Sequence, residues 1–431
     1  MALFQPIDDI LIALLLLLLL SRSLGLLFHR FKISPIAGEV LGGVLLSPLI
    51  LNLLSEAPGQ GTPELLTFSE FAIIVIMFHS GLYTDFSAFR QYRWTSIVVG
   101  AIGVVVSFSL IFMLSFFVFH LSLETSLFLG AILSNSAIEV SSAMLVNTRY
   151  DKLRTIVIGA SFIDDILAVF VLGVVLSFVK TTPGILLPVV GEVDGIASSV
   201  LSLGWTSLKV LSFLLLTFYI LNKLSHKVLD RFAARRFEVI LSVGFLFALG
   251  LGIFAKWVGL HEVIGVYLAG LILSQWGVMP DPMLTRGIAW MKFKESFTNM
   301  MEALFSPIFF GVVGLLLGSN LVSEGGDSVG YIIFGVAVFT FFAFMGKIVG
   351  CGAGARLKKI APSGALLIGV AMGGRGALEF ILIKSGLKEG LLSPDEFSIV
   401  IMVTLMTILM TPVLYQLTAK WKRKDLEETD L

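Results

Sequence analysis

The chain has 431 residues, of which 57% are hydrophobic and 14% are charged, and its mean hydropathy is +0.97. Because average soluble domains carry roughly 25% charged residues, this composition excludes a soluble globular protein and indicates an all-α polytopic membrane protein. The formal net charge is zero, so no overall basic field favours a nucleic acid partner. The single cysteine, Cys351, excludes an internal disulfide and any cysteine-rich metal or iron–sulfur site.

Apolar stretches of about 20 residues, the length that crosses a bilayer as a helix, recur along the chain. They predict thirteen transmembrane spans, near residues 8–28, 35–54, 66–83, 95–119, 122–147, 154–179, 204–224, 237–256, 260–277, 301–319, 330–355, 363–386 and 397–419. Asp8 and Asp9 stand where a signal peptide would carry basic residues. The first span is therefore predicted to be a retained helix.

Most Lys and Arg residues fall on alternate connections between these spans. The positive-inside rule then predicts that the N-terminus lies outside and that the basic tail, residues 420–431, lies in the cytoplasm. Because that tail is short, we expect a single transmembrane domain over residues 1–431 without a C-terminal regulatory domain. Residues 283–297 are predicted to form an amphipathic helix at the cytoplasmic interface, with Trp290 and Phe293 on one side and lysines on the other.

Two predicted spans carry polar or glycine clusters at mid-depth. The clusters are Ser134, Asn135, Ser136 and Glu139 in the fifth span, and Gly373, Gly374, Arg375, Gly376 and Glu379 in the twelfth. A helix can unwind at such a cluster where the freed backbone lines a cavity or is buried in protein. The alternative is two continuous helices, in which the serines bond to their own carbonyls and the glycines permit close packing.

The fifth and twelfth spans run in opposite directions, which predicts inverted repeats whose two broken helices cross at the midplane. The repeats would occupy residues 8–179 and 237–419, and residues 204–224 would form the helix that connects them. Crossing half-helices of this kind characteristically form a binding site for an ion.

Asp164 and Asp165 are adjacent in the middle of an apolar stretch, residues 156–179. An ionisable side chain at bilayer depth costs about 2.5 to 3.5 kcal/mol on insertion scales, so a pair there predicts a functional site. Neighbours on a helix point about 100° apart. One carboxylate can therefore face a cationic partner while the other faces an aqueous cavity and holds a proton or a monovalent cation. The alternative is a polar cluster that only ties helices together.

Lys347, within the apolar run 332–349, is the predicted cationic partner, with Asp164 favoured over Asp165. The alternative is a lysine that extends to the cytoplasmic interface.

If both Asp165 and the Asp164–Lys347 pair exchange protons, more than one proton returns for each cation, and transport is electrogenic.

Competition for the Asp165 carboxylate predicts the mechanism. A hard monovalent cation, Na⁺ or Li⁺ with K⁺ as an alternative, would be held by Asp165 together with oxygen atoms from Ser134, Ser136 or exposed backbone carbonyls. The proton and the cation then exclude each other, and no cofactor is expected. Charge compensation around the crossing is assigned to Asn135, Glu139, Arg375 and Glu379, and a weaker role beside the site to Glu70.

The sequence leaves two other classes of function open. An intramembrane aspartyl protease also uses two buried aspartates, but its carboxylates come from different helices and share a water, whereas adjacent side chains diverge. A channel or a sodium-coupled solute symporter is a nearer alternative, because crossing broken helices serve either of them.

Five strings lie along the chain in the order PIAGEVLGGVLLSP (residues 35–48), GASFIDDILAV (159–169), GLHEVIGVYLAGLILS (259–274), GKIVGCGAGAR (346–356) and GRGALE (374–379). Together they resemble the monovalent cation:proton antiporter-2 family, in particular its NapA-like sodium/proton antiporters. The resemblance implies a thirteen-helix inverted-repeat fold of the NapA/NhaA type, a homodimer in membrane lipid, and a core domain that slides in an elevator cycle. A prokaryotic plasma membrane and a role in pH homeostasis are the corresponding expectations.

The resemblance also implies residue roles. The ion-binding aspartate falls on Asp165, the salt-bridge aspartate on Asp164, its lysine on Lys347, and the unwound segment on residues 134–138. The chain departs from the family at Glu139, at His79 in span 3, and in the displacement of the acidic residue after Arg375 to Glu379. These departures bear on the cation preference more than on the fold.

Overall fold

The structure is a computed structural model, and it describes residues 10–30, 34–51, 53–54, 63–83, 92–137, 151–181, 208–209, 211–213, 215–217, 219, 237–258, 262–277, 285–323 and 328–422. Within these ranges, the long regular elements are all helices. They are α1 (Ile10–Arg30), α2 (Pro35–Leu46), α3 (Pro63–Tyr83), α4 (Arg93–Met113), α5 (Leu123–Leu133), α6 (Asp151–Thr181), α7 (Phe237–Val258), α8 (Glu262–Gly277), α9 (Thr285–Met300), α10 (Ser306–Ser323), α11 (Ser328–Leu357), α12 (Pro362–Ala371), α13 (Ala377–Lys388) and α14 (Pro394–Trp421).

The helices belong to two compact units. The first comprises Met1–Ile76, Asp85–Asp165 and Met300–Leu431, and the second comprises Met77–Thr84 and Ile166–Asn299. Asp164, Asp165 and Lys347 therefore all belong to the first unit, together with both polar clusters noted in the sequence.

Among the described residues, eight helical segments are long and apolar enough to cross a membrane. They are Ile10–Arg30, Glu64–Tyr83, Arg93–Val118, Lys152–Val175, Glu238–Val258, Trp290–Val322, Gly330–Leu357 and Pro394–Trp421. Shorter apolar helices occupy Pro35–Leu46, Leu123–Leu133, Glu262–Gln275 and Pro362–Ala371. The predicted all-α, apolar architecture is confirmed, whereas the number of thirteen spans and the repeat symmetry stay predictions. The predicted connecting helix at residues 204–224 lies largely outside the described residues.

Two predicted element boundaries are wrong. The span predicted at residues 35–54 is helical only to Leu46, because Ser47 takes an extended conformation before Pro48, which disfavours helix in the residue that precedes it. The amphipathic helix and the tenth span, predicted as separate elements, form one helical run in which α9 continues through a π-helical turn, Met301–Phe305, into α10. Along α9, Trp290 and Phe293 are buried, as an amphipathic helix requires.

Glycines bring the backbones of α2 and α10 into direct contact. A Cβ atom on Gly43 would collide with the carbonyl oxygen of Gly311, and one on Gly314 would collide with the carbonyl oxygen of Val40. Small residues allow this approach in membranes, where apolar side chains gain little by leaving lipid. Leucines of α1, α2 and α10, including Leu17, complete a buried cluster around this contact.

Replacement of Gly314 by alanine should lower the thermal stability of the purified protein. The added methyl group meets helix backbone, which cannot rotate away as a flexible side chain would, and overpacking of this kind costs about 1–3 kcal/mol. The measurement is the melting temperature in detergent. Gly250→Ala is the matched control, because a Cβ atom there meets nothing within 4 Å. Equal melting temperatures for the two variants would contradict the close approach of α2 and α10.

Candidate ion-binding site

A buried ion pair joins α6 to α11. Lys347 Nζ donates to Asp164 Oδ2 at 2.6 Å, and both side chains are fully buried. The hydroxyl of Ser136 donates to the same carboxylate oxygen. The ion pair predicted from the sequence is therefore present, and the alternative in which Lys347 extends to the cytoplasmic interface is wrong. Asp165, the next residue on α6, is also buried, with 5% of its surface exposed.

Glycine contacts position the two helices that carry this pair. A Cβ atom on Gly100 of α4 would press on the carbonyl oxygen of Ala160, which precedes Asp164 by about one turn of α6. Gly346, next to Lys347 on α11, lies against the backbone of Ser107 in α4. Helix α4 therefore packs closely against both α6 and α11 beside the charged residues.

The two polar clusters noted in the sequence meet at non-helical backbone. Helix α5 ends at Leu133 and residues 134–137 are not helical, while residues 372–376 separate α12 from α13. The backbone N–H of Ala137 donates to the carbonyl oxygen of Gly374 at 2.9 Å, which joins the two segments directly. Ile138 and Glu139, the remaining members of the fifth-span prediction, lie outside the described residues.

Arg375 is fully buried between helix ends. Its guanidinium group donates to the carbonyl oxygens of Gly373 and Leu133, each at 2.5 Å, and of Ala343 at 3.3 Å. Leu133 is the last residue of α5, and the last carbonyls of a helix lack partners within it and carry the negative end of its dipole. A buried cation at this position supplies both the missing donors and the opposite charge.

Glu379 lies in the first turn of α13, on the C-terminal side of the twelfth-span interruption. Its Oε2 atom accepts a hydrogen bond of 2.7 Å from the backbone N–H of Gly376, at the N-terminus of α13. A carboxylate is favourable there because the helix dipole is positive. Arg375 and Glu379 thus stand where charge compensation requires them, and their part in transport stays a prediction.

The three described polar residues of the fifth-span cluster differ in their partners. Ser134 donates to the carbonyl oxygen of Ala131 at 3.0 Å, so its hydroxyl hydrogen returns to its own helix. Ser136 is bonded to Asp164. Asn135 is fully buried, yet the described residues provide no hydrogen-bond partner for its Oδ1 or its Nδ2 atom.

Other charged or polar residues lie in contacts separate from the Asp164–Lys347 ion pair. Glu70, proposed from the sequence for a weaker role beside the site, forms a half-exposed ion pair with Lys388 at 2.6 Å. His79 has a ring nitrogen 3.2 Å from the hydroxyl of Thr298 within the second unit.

Sequence reasoning missed Glu39 as a buried charge. Its side chain on α2 is 1% exposed, accepts a 2.5 Å hydrogen bond from Ser306 and lies 3.8 Å from the guanidinium of Arg22. The signal was available, since Glu39 is an acidic residue within an apolar string, residues 35–48. Lys384, which donates to the hydroxyl of Ser69, is likewise more deeply buried than its position near a predicted span end suggested.

Comparison with known proteins gives one coherent picture. Residues 12–421 match the family described as sodium/hydrogen exchanger, transmembrane. The chain is 28% identical over 422 residues to a Na⁺/H⁺ antiporter of Enterococcus hirae, covering 95% of this chain and 98% of that protein. It is 26% identical over 415 residues to the Na⁺/H⁺-K⁺ antiporter GerN of Bacillus cereus, covering 96% and 97%.

A solved structure extends the likeness to three dimensions. The sodium proton antiporter MjNhaP1 of Methanocaldococcus jannaschii at pH 8 superposes with a TM-score of 0.69 at 14% sequence identity, covering 95% of this chain and 96% of that one. At this identity the superposition establishes a shared fold.

Replacement of Lys347 by methionine should lower the melting temperature strongly, because it leaves the buried Asp164 carboxylate without its cation. Removal of one partner from a buried ion pair costs about 3–5 kcal/mol. The double variant Asp164→Asn/Lys347→Met carries no unpaired charge and should recover much of the loss. A single variant that melts like the wild type, or a double variant that melts no higher than the single one, would contradict this account of the pair.

Proposed function

Because the chain belongs to the transmembrane sodium/hydrogen exchanger family, we propose that it is a secondary transporter that exchanges Na⁺ or Li⁺ for protons at a site centred on Asp165. The observation that carries the proposal is the buried Asp164–Lys347 pair directly beside Asp165. Lys347 neutralises Asp164, and we assign the exchange of proton and cation to the other member of the aspartate pair, Asp165.

The charge balance of Asp165 accounts for obligatory exchange. An ionised carboxylate at bilayer depth is costly, and either one proton or one monovalent cation neutralises it. The two ligands compete, because each removes the single negative charge that attracts the other. If only the neutralised site crosses between the two sides of the membrane, every cation that leaves must be replaced by protons. Ser136 and freed backbone carbonyls are the oxygen donors proposed beside Asp165, with Ser134 as a further candidate.

The finer architecture is also proposed. The hydrogen bond between Ala137 and Gly374 supports a crossing of two broken helices, and with it an inverted-repeat fold of thirteen spans in one domain. The sequence resemblance supports a NapA-like homodimer, an elevator cycle and a role in pH homeostasis in a prokaryotic plasma membrane. The distribution of Lys and Arg supports an external N-terminus and a cytoplasmic C-terminus.

K⁺/H⁺ exchange is the second candidate. The name of the relative GerN includes K⁺ beside Na⁺, and a site built from oxygen ligands accepts either ion. A sodium-coupled symporter loses support, because the family that matches almost the whole chain is one of exchangers. Proton flux driven by a series of chloride salts in proteoliposomes separates these candidates.

Asp165→Asn should abolish cation-driven proton flux in proteoliposomes while the protein stays folded. The amide binds no exchangeable proton and supplies no negative charge, so neither ligand is held. Asp395→Asn, in the first turn of α14, is the control and should transport like the wild type. Substantial exchange by Asp165→Asn would remove this residue from the centre of the mechanism.

We further propose that the Asp164–Lys347 pair exchanges a proton in addition to the one at Asp165. More than one proton then returns for each monovalent cation, and exchange should respond to membrane potential. Each net elementary charge that crosses is worth about 2.3 kcal/mol per 100 mV. A potential imposed with potassium and valinomycin should therefore accelerate or slow sodium-driven proton flux according to its sign. Flux that is indifferent to the potential would restrict Asp164 and Lys347 to a structural role and leave the site at Asp165 in place.

A further inference from the structure

The side chain of Asn135, at the point where α5 becomes non-helical, is buried without a partner in the part of the chain that the structure describes. Neither its Oδ1 nor its Nδ2 atom meets a hydrogen-bonding group among the described residues, and the side chain is fully buried. Buried polar groups in native proteins are nearly always paired, so an unpaired amide needs an explanation. Both neighbouring serines donate to protein groups, Ser134 to Ala131 and Ser136 to Asp164. Asn135 is therefore the uncommitted side chain of this segment.

A second buried acceptor belongs to Asp164, the hydrogen-bond partner of Ser136. Lys347 and Ser136 both donate to Oδ2 of Asp164, and its Oδ1 atom is buried without a partner in the described part of the chain. Ser136 is bonded to this carboxylate, and the Cα atoms of Asn135 and Ser136 are about 3.8 Å apart across a peptide bond. Asn135 is thus the chain neighbour of Ser136, and Asp165 the chain neighbour of Asp164, on the two sides of one hydrogen bond.

Acceptor oxygens that lack donors suit a bound cation, and neutral amide oxygens are established ligands for hard cations. A neutral ligand has an electrostatic advantage here. Asp165 alone balances one monovalent charge, so a further carboxylate would leave the loaded site negative, whereas an amide completes the coordination without adding charge. An amide also binds no proton near neutral pH, so it favours the cation in the competition for the site.

We propose that the side-chain carbonyl oxygen of Asn135 is a direct ligand of the transported monovalent cation and sets its affinity. This assignment rests on the proposed function, and it replaces the charge-compensation role that the sequence suggested for Asn135. It distinguishes Asn135 from Asp165, because loss of the amide weakens cation binding and leaves the proton-binding carboxylate in place.

The test compares Asn135→Ala with Asn135→Asp in the full-length protein. In proteoliposomes, Asn135→Ala should raise the Na⁺ concentration for half-maximal exchange about tenfold or more, the effect of a loss near 1.4 kcal/mol in binding. Exchange at saturating Na⁺ should persist. Asn135→Asp keeps an oxygen at the same position, so its half-maximal Na⁺ concentration should stay within a few-fold of the wild type. Its added negative charge on the loaded site should lower the maximal rate of exchange. Asn320→Ala on α10 is the matched control, since it removes the same side chain from a helix outside the two interruptions.

Thermal stability supplies an independent readout. A ligand that binds only the folded protein raises its melting temperature, so Na⁺ should stabilise the wild type and Asn320→Ala, and should stabilise Asn135→Ala much less. If Asn135→Ala does not purify as a folded protein, Asn135→Gln takes its place with the same expectation, because its amide oxygen is displaced by one methylene group.

Two results would overturn the assignment. One is an Asn135→Ala variant, or its Gln substitute, with the half-maximal Na⁺ concentration and the Na⁺-induced stabilisation of the wild type. The other is an equal rise in the half-maximal Na⁺ concentration in that variant and in Asn135→Asp, which would indicate a packing role and not ligation. A wild-type protein that exchanges protons for none of Na⁺, Li⁺ and K⁺ would instead contradict the proposed function itself.

Discussion

A charge buried in the membrane must be neutralised where it lies, and the fully buried Asp164–Lys347 pair meets this requirement within the first unit. Desolvation of two separate ions would cost more than most single interactions return, so the pair depends on close geometry and on extra hydrogen bonds such as that from Ser136. The glycine contacts that hold α6 and α11 against α4 supply this geometry. The proposed ion site at Asp165 is adjacent in sequence to this pair.

Polar backbone groups buried in the membrane also need partners where they lie. Non-helical peptide groups are tolerated at membrane depth only where protein or a cavity satisfies them. Arg375 pairs with carbonyl oxygens at both interruptions and with Ala343, which lies about one turn before Lys347 on α11. One buried guanidinium group therefore connects the ends of the broken segments to the helix that carries the charged pair.

The membrane helices were predictable because they depend on local composition. The charged pair was predictable because ionisable residues are rare within apolar spans. Long apolar runs identify spans, and a few ionisable residues within them leave few choices of partner, which is why Lys347 could be matched to Asp164. Helix ends were less predictable, as α2 and the run from α9 into α10 illustrate. The partners of Ser134 and Asn135 could not be predicted, since a serine hydroxyl can return to its own helix or point across, and only packing decides.

Glu39 shows why burial alone does not define the proposed site. Like Asp165 it is a buried acidic residue in an apolar helix, but its carboxylate accepts a hydrogen bond from Ser306 and lies near the partly exposed Arg22. Ser306 on α10 is 267 residues away in sequence and Arg22 lies on the preceding helix, α1, so the residues around Glu39 do not identify its partners. Glu39 also sits within the continuous part of α2, whose backbone carbonyls are engaged in the helix. Asp165 differs because its neighbour Asp164 is hydrogen-bonded to Ser136, in a segment that is not helical. Backbone carbonyl oxygens that are not engaged in a helix can serve as further cation ligands beside a carboxylate, and a continuous helix offers none.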